Sequence, residues 1–252
     1  MGSLPAMTAR GLTTRRLVAL LATTTLTLTA CGDQSEPPKD LGAAMGDPAL
    51  PPYDPDEPLE AAELAEVLVT ASEVGPEFKE RTAKSPETDS FDCLSRIDDL
   101  EDFGSPDGYR EIVFQGRTKE QRYTSIFASV ASFDQTGDSD DAALLTWGKI
   151  DEQMAACTKV RTRDKNGRVQ VDLRYDDTLQ VDATEQASLT GKGFYSYKGQ
   201  SYPQVVTYTV VLVGNEIITV AAFSEVPDVL SRVDPLVKAS VDRLNELESV
   251  VE

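Results

Sequence analysis

The 252-residue chain contains 43 acidic and 24 basic residues, giving a formal net charge of −19, and it has no histidine. Such an acidic surface repels nucleic acid and anionic lipid head groups, so we expect neither as a bulk partner. The lack of histidine excludes Ser-His-Asp and Cys-His catalysis and histidine-ligated metal sites, and we expect no metal and no cofactor.

Residues 1–30 have the parts of a signal peptide. Three arginines make a basic start, and a short apolar stretch at 17–28 follows, interrupted only by threonines. This stretch falls short of the roughly 20 apolar residues needed to span a bilayer. The sequence LTAC at 28–31 then matches a lipobox, in which the cysteine thiol takes a diacylglyceryl group before cleavage. We therefore predict export and a lipid anchor on Cys31 at the outer face of the cell membrane; the alternative is an ordinary signal peptide with a chance cysteine.

Residues 31–58 are rich in proline, acidic and small residues and show no apolar period. This composition is typical of a solvated, extended tether. Removing the signal peptide takes away three arginines and no acid, so the net charge falls from −19 to −22. The lipid, not charge attraction, must then hold the protein at the membrane. Residues 59–252 remain, a length that fits one domain.

The first half of this domain predicts two helices separated by two strands. A helix is expected over 58–74, ended by Gly75-Pro76. Strands follow near 109–116 and 122–133, and a second helix runs from an acidic N-cap at 138–141 to Cys157. Its apolar residues are spaced by three and four, which predicts one buried stripe formed by Ala143, Trp147, Ile150, Met154 and Cys157.

Two cysteines remain after lipidation of Cys31. An even pair in an oxidising compartment indicates a disulfide, and Cys157 points inward at the end of its helix, where it can meet Cys93. The alternative is a pair of buried free thiols.

The dipeptide Asn166-Gly167 lies between two alternating segments, which predicts a hairpin with a two-residue turn. That turn sets Lys165 opposite Arg168, Lys159 opposite Arg174, and Arg161 opposite Asp172. One face of the hairpin then enters the core, and the other carries Lys159, Arg161, Arg163, Lys165, Arg168 and Arg174.

Two interpretations of this basic face are open. The first is a solvated surface whose long side chains meet acids elsewhere in the domain. The second is a docking face for an anionic wall polymer, a phosphate group or an acidic partner, with Arg161, Arg163 and Arg168 as the contacting residues. Like charges set opposite each other are mildly unfavourable unless an anion relieves their repulsion, but we favour the first interpretation, because long side chains can splay into water.

The last third of the chain predicts a strand near 179–187 and two apolar strands at 205–213 and 217–223, joined by a tight turn at Gly214-Asn215. Continuous apolar runs indicate central strands covered on both faces. Asp234-Pro235 is predicted to begin a C-terminal helix. Because hairpins dominate, we predict an α+β fold, a single domain with a mostly antiparallel sheet and three main helices packed on it.

The order of sparse residues in this domain resembles actinobacterial cell-envelope lipoproteins and the extracellular sensor domain of a mycobacterial receptor-type serine/threonine kinase. The residues that carry it are Leu59, Ala62-Glu63-Leu64, Leu68, Thr70, Glu73-Val74-Gly75-Pro76, Phe78, Asp92-Cys93, Trp147 and Cys157. The resemblance implies an α+β domain with an antiparallel sheet, disulfide bonding and a cleft proposed to bind an unidentified ligand. The sensor domain has two disulfides, whereas this chain can form one.

Two further segments are candidate sites. Residues 134–141 resemble a calcium loop but lack the EF-hand pattern, and a helix cap explains them better. The aromatic segment 191–203 is either a stacking platform for a sugar or peptide, or cross-strand packing, which we favour.

We therefore predict a non-catalytic extracytoplasmic lipoprotein that binds a small ligand or an envelope partner. The alternatives are a lipid or glycolipid carrier, which needs a large apolar cavity, and a histidine-free cell-wall hydrolase, which needs a carboxylate pair.

Overall fold

The computed structural model describes residues 57–81, 93–98, 104–117, 123–134, 142–163, 167–178 and 180–249. Its strands are β1 (Phe78–Arg81), β2 (Gly108–Arg117), β3 (Tyr123–Ser132), β4 (Lys159–Arg163), β5 (Arg168–Asp176), β6 (Glu185–Tyr197), β7 (Gln200–Val213) and β8 (Glu216–Ser224). Its helices are α1 (Ala61–Val67), α2 (Ala71–Val74), α3 (Cys93–Asp98), α4 (Ala142–Ala156) and α5 (Leu230–Ser249), the last preceded by a 3-10 turn at Pro227–Val229.

The strands form one eight-stranded sheet in the order β1-β2-β3-β8-β7-β6-β5-β4. Every neighbouring pair is antiparallel. The continuous apolar strands β7 and β8 lie in the middle, and every side chain from Val205 to Val213 and from Glu216 to Ser224 is buried. The predicted central position of these strands is confirmed, because only an interior strand buries both of its faces.

Side chains that alternate along the strands separate two cores, one on each face of the sheet. On one face, here called the α5 face, Ile126, Val130 and Ile218 pack under α1, α2 and α5. On the opposite face, Phe127 and Ile217 pack under α3 and α4. The predicted α+β single domain with an antiparallel sheet is therefore confirmed.

Helix α4 holds the predicted apolar stripe. Ala143, Trp147, Ile150, Met154 and Cys157 are all buried. A disulfide joins Cys157 to Cys93, with the two Cα atoms 5.7 Å apart. The bridge fixes the start of α3, whose Leu94 and Ile97 are also buried in this core.

The N-terminal helical segment differs from the single helix predicted over 58–74. Helix α1 ends where Leu68 adopts an extended backbone, and Thr70 then begins α2 with a capping box to Glu73. The Thr70 backbone N–H donates to Glu73 Oε2 at 2.7 Å. A second capping box inside a helical pattern divides the helix, because it satisfies the amide groups of a new first turn.

Helix α5 also begins earlier than predicted. Pro227 occupies the first turn of the 3-10 segment, and the helix runs through Asp234-Pro235 without ending. The prediction that Asp234-Pro235 begins this helix is wrong, because a proline early in a helix removes one hydrogen bond while tertiary packing maintains the rest.

Arg243 on α5 connects this helix to α1 and α2. Its Nη1 donates to Glu73 Oε1 at 2.6 Å, and its Nη2 donates to the carbonyl oxygens of Val67 and Leu68 at 3.0 Å each. These carbonyls lie at the end of α1, where no further turn of helix donates N–H groups to them. One guanidinium therefore fixes three helices.

Several predictions lie outside the described residues: the signal peptide, most of the tether, the acidic N-cap at 138–141, and the turn residues Lys165 and Asn166. In the described part of the chain, no helix is both long enough and apolar enough to cross a membrane.

Candidate functional site

The basic hairpin forms the end of the sheet, with a register that differs from the prediction. Arg163 pairs with Arg168, so the connection spans 164–167 instead of a two-residue turn. Lys159 therefore lies opposite Asp172, and Arg161 lies opposite Gln170. The predicted pairs Lys159 with Arg174 and Arg161 with Asp172 are wrong. The shift is by two residues, and side chains alternate with a period of two, so every side chain stays on its predicted face.

The charged side of the hairpin extends onto the next strand. Val160, Val169 and Val171 point into the core under α4, while the alternate positions are exposed. Lys192 on β6 pairs with Asp172 and joins the same face. We call this surface the basic face, and its cations, all exposed, are Lys159, Arg161, Arg163, Arg168, Arg174 and Lys192.

Two arginines of the basic face converge on the side chain of Gln170. With its amide oriented so that the oxygen faces them, Gln170 accepts hydrogen bonds from Arg168 Nη2 at 2.7 Å and from Arg161 Nη1 at 2.9 Å. The guanidinium groups are thus already oriented toward one shared acceptor.

Two acids accompany these cations on β4 to β6. Asp172 Oδ1 lies 3.4 Å from Arg161 Nη2, and both side chains are largely exposed, at 84% for Asp172 and 53% for Arg161. An exposed pair at this distance contributes little. Asp176 lies at the end of β5, where the Thr178 backbone N–H donates to its carboxylate, and this bond keeps the pKa of Asp176 below its usual range.

The α5 face also contains a cleft of about 280 Å³ between α5 and the sheet. Its floor consists of Gln186 on β6, Thr209 on β7 and Val237 on α5, all buried. The lining is completed by Gln180, Val181, Asp234, Pro235 and Lys238. Amide, hydroxyl and oppositely charged groups, together with the apolar side chains of Val181, Pro235 and Val237, suit a small polar ligand.

Hydrogen bonds hold the cleft in shape. The Gln180 backbone N–H donates to Gln186 Oε1 at 2.9 Å, which folds the segment before β6 against the sheet. Thr209 and Ser188 share a hydrogen bond of 3.0 Å across β6 and β7. The strand predicted near 179–187 is therefore wrong in position: β6 begins at Glu185, because the preceding residues form the wall of the cleft.

The aromatic segment 191–203 is a long hairpin of β6 and β7. Tyr195 lies directly opposite Tyr202, with ring centroids 6.4 Å apart, and Tyr197 stacks on Tyr195 at the same distance. The turn has positive φ values at Lys198 (49°) and Gly199 (80°). Cross-strand stacking of this kind matches the packing interpretation.

The acids elsewhere do not assemble a metal centre in the described ranges: no group of three or more His, Cys, Asp or Glu side chains comes together there. Of the candidate calcium loop, only Asp134 is described, and its backbone N–H donates to Asp107 Oδ2 at 2.9 Å. Tyr175 donates to Asp151 Oδ1 at 2.5 Å, and burial together with this bond raises the pKa of the Tyr175 hydroxyl.

Gln170, Lys192 and the cleft residues were not predicted as site residues. The alternation of side chains along β6 predicts that Lys192 is exposed. Only the pairing of β5 with β6 shows that it shares a face with the hairpin cations. The cleft has no comparable signal, because its residues come from α5, β6, β7 and the segment before β6.

Comparisons with known proteins identify solved structures that are similar to this chain. No family model and no curated protein matches the sequence. Among solved structures, the extracellular domain of PknH from Mycobacterium tuberculosis superposes with a TM-score of 0.52 at 12% identity, covering 76% of this chain and 99% of that domain. A putative uncharacterized protein from Mycobacterium smegmatis, an Rv0999 orthologue, matches with a TM-score of 0.34 at 17% identity, covering 75% of this chain and 97% of that one. The described domain therefore has the fold of the PknH extracellular domain, which confirms the resemblance to the extracellular domain of a mycobacterial kinase.

Proposed function

We propose that this protein is an exported, lipid-anchored, non-catalytic binding domain that holds a small polar ligand in the cleft beside α5. The observation that carries the proposal is the cleft itself, at about 280 Å³ with Gln186 and Thr209 in its floor. This volume is close to the lower end of the roughly 300–1,000 Å³ typical of ligand pockets. Asp234 and Lys238 line the cleft with one charge of each sign, and Lys238 is also ion-paired with Asp242 at 2.6 Å. This polar lining suits a strongly polar molecule.

Export and anchoring rest on the sequence of the N-terminal region. The lipobox at 28–31 supplies Cys31 as the acceptor of a diacylglyceryl group, and residues 31–58 supply a tether. Two acyl chains on one cysteine are enough for stable attachment, whereas a single chain binds only marginally. The fold shared with an extracellular domain supports the same placement.

The cleft favours the binding of a small ligand over the two alternative functions, a lipid carrier and a hydrolase. A lipid or glycolipid carrier calls for an apolar cavity above roughly 1,000 Å³, beyond the size of ordinary small-molecule pockets. A glycoside hydrolase requires two carboxylates flanking the bond that it cleaves, and among the described residues that line this cleft there is one, Asp234.

The test fills the cleft with a bulky side chain. The full chain is purified from the membranes of an actinobacterial host, and bound small molecules are measured by native mass spectrometry. We expect a ligand on the parent and none on Val181→Trp, because Val181 lines the cleft. Asp182→Trp is the matched control, since the same side chain is added at the exposed neighbouring position, and it should retain the ligand. A parent protein without any bound molecule, or a ligand retained by Val181→Trp, contradicts the proposal.

A further inference from the structure

Among the residues that the structure describes, no helix covers the basic face, which belongs to a strongly acidic protein. Helix α5 packs on β7 and β8, and the α5 face over β4, β5 and the far half of β6 stays exposed. Six cations project from this area, and the acids of β4 to β6 on the same side are Asp172 and Asp176. The whole chain, with these cations included, carries a net charge of −19. A local cationic surface on such a chain indicates complementarity to an anionic partner.

Within this face, the side-chain amide of Gln170 lies at a position that suits an oxyanion. Its amide oxygen accepts from Arg161 Nη1 at 2.9 Å and from Arg168 Nη2 at 2.7 Å. A neutral amide oxygen is a weaker partner for two guanidinium groups than an oxyanion, because an oxyanion adds the attraction between opposite full charges to each hydrogen bond. An anion that displaces this amide therefore gains two charge-assisted hydrogen bonds without reorganising the arginines.

We propose that the basic face binds the phosphate groups of a linear anionic polymer, with Arg161 and Arg168 contacting one phosphate at the position now occupied by the Gln170 amide oxygen. Phosphate fits better than carboxylate, because its additional oxygens can also accept from Arg163 and Lys159 on the neighbouring strand positions. Cations on one face of a strand recur about every 7 Å, and neighbouring strands lie about 5 Å apart, so a chain with repeated phosphates meets several cations at once.

A linear chain suits this surface better than a membrane. Helix α5 lies on the same face of the sheet and stands above it by roughly 10 Å, the diameter of a helix, so a flat bilayer is held away from the cations. A broad bilayer surface is also repelled by the net charge of −19 of the chain, whereas a thin polymer can follow the cations along β4 and β5. Repulsion from more distant acids is largely screened beyond about 8 Å at physiological salt.

The experiment uses the full chain, purified in detergent, and linear inorganic polyphosphate as the probe, with binding measured by calorimetry at low and physiological salt. The decisive variant is Gln170→Glu, which places an internal carboxylate between Arg161 and Arg168. We expect this change to weaken polyphosphate binding by about tenfold or more, the loss of one charge-assisted contact. Gln170→Ala leaves the two arginines available and should bind at least as tightly as the parent, so a general loss of folding cannot explain the difference.

Arginine removal gives a second, independent measurement. The triple change Arg161→Ser, Arg163→Ser and Arg168→Ser should abolish salt-sensitive binding. Its matched control removes three exposed arginines outside the basic face, Arg81, Arg96 and Arg117, and should bind like the parent. Asp172→Asn should bind more tightly, because the competing carboxylate near Arg161 is lost.

Three outcomes overturn the proposal. Equal binding by Gln170→Glu and the parent shows that the two arginines do not hold the phosphate. If polyglutamate binds as tightly as polyphosphate, the face does not select phosphate. If phosphatidylglycerol vesicles bind as tightly as polyphosphate, the partner is a membrane surface instead of a polymer. The cleft is tested separately: Val181→Trp should leave polyphosphate binding unchanged, so failure of either proposal leaves the other standing.

Discussion

Removal of the Cys93–Cys157 disulfide should destabilise the domain by about 4 kcal/mol. The two cysteines are 64 residues apart in sequence. On the chain-entropy model, a closed loop of this length removes conformational freedom from the unfolded state worth roughly 4 kcal/mol at 25 °C. For a domain of this size the loss corresponds to a fall in Tm of about 8–16 °C, at 2–4 °C for each kcal/mol.

The measurement is urea unfolding followed through the fluorescence of Trp147. This residue is the only tryptophan of the chain, and it is buried in the core under α4 that also contains Cys157. The comparison is between the parent with and without reductant and the double variant Cys93→Ala and Cys157→Ala. Alanine is preferred over serine because Cys157 is 2% exposed, and a serine would bury a hydroxyl group.

The reduced parent and the double variant should unfold at similarly low urea concentrations. Their m-values should exceed that of the oxidised parent, because an unfolded chain without the cross-link exposes more surface. A difference below about 1 kcal/mol between the oxidised and reduced parent refutes the reasoning, since the loop-closure estimate is several times larger.

Two further predictions concern anchoring and acid stability. Cys31→Ala should release the protein from membranes into the medium or block its processing, as judged by fractionation and immunoblotting; an unchanged membrane fraction places the anchor elsewhere. Glu73 is partly buried, which raises its pKa, but hydrogen bonds from Thr70 and Arg243 outweigh burial and the net pKa is lowered. A carboxyl whose pKa is lower in the folded state stabilises the fold above its unfolded pKa of about 4.3, and this stability is lost as pH falls through the folded pKa. Glu73→Gln should therefore reduce stability at pH 7 and flatten its decline in acid, and urea midpoints from pH 7 to pH 3 that decline as steeply as those of the parent contradict this account.

Local periodicity determined much of this protein. The stripe through Ala143, Trp147 and Met154 predicted α4 and its buried side, because a helix repeats every 3.6 residues whatever it packs against. The alternation around the basic hairpin assigned Arg161 and Arg168 to the exposed face, because strand side chains repeat every two residues, and a register error of two residues leaves that assignment unchanged. The apolar runs of β7 and β8 predicted the centre of the sheet.

Only the tertiary structure decided which strands pair, in which register, and which side chains meet in the cleft and on the basic face. The hairpin register depends on the length of the connection at 164–167, and the sequence signal of Asn166-Gly167 predicts a turn type without excluding a longer loop. The start of β6 was set by the Gln180–Gln186 hydrogen bond, a contact specific to this packing. The cleft and the Gln170 position arise where separate elements meet, so their residues share no spacing in the chain. Strand order brought Lys192 beside the hairpin cations, because pairing in a sheet is a property of the whole fold and not of any one segment.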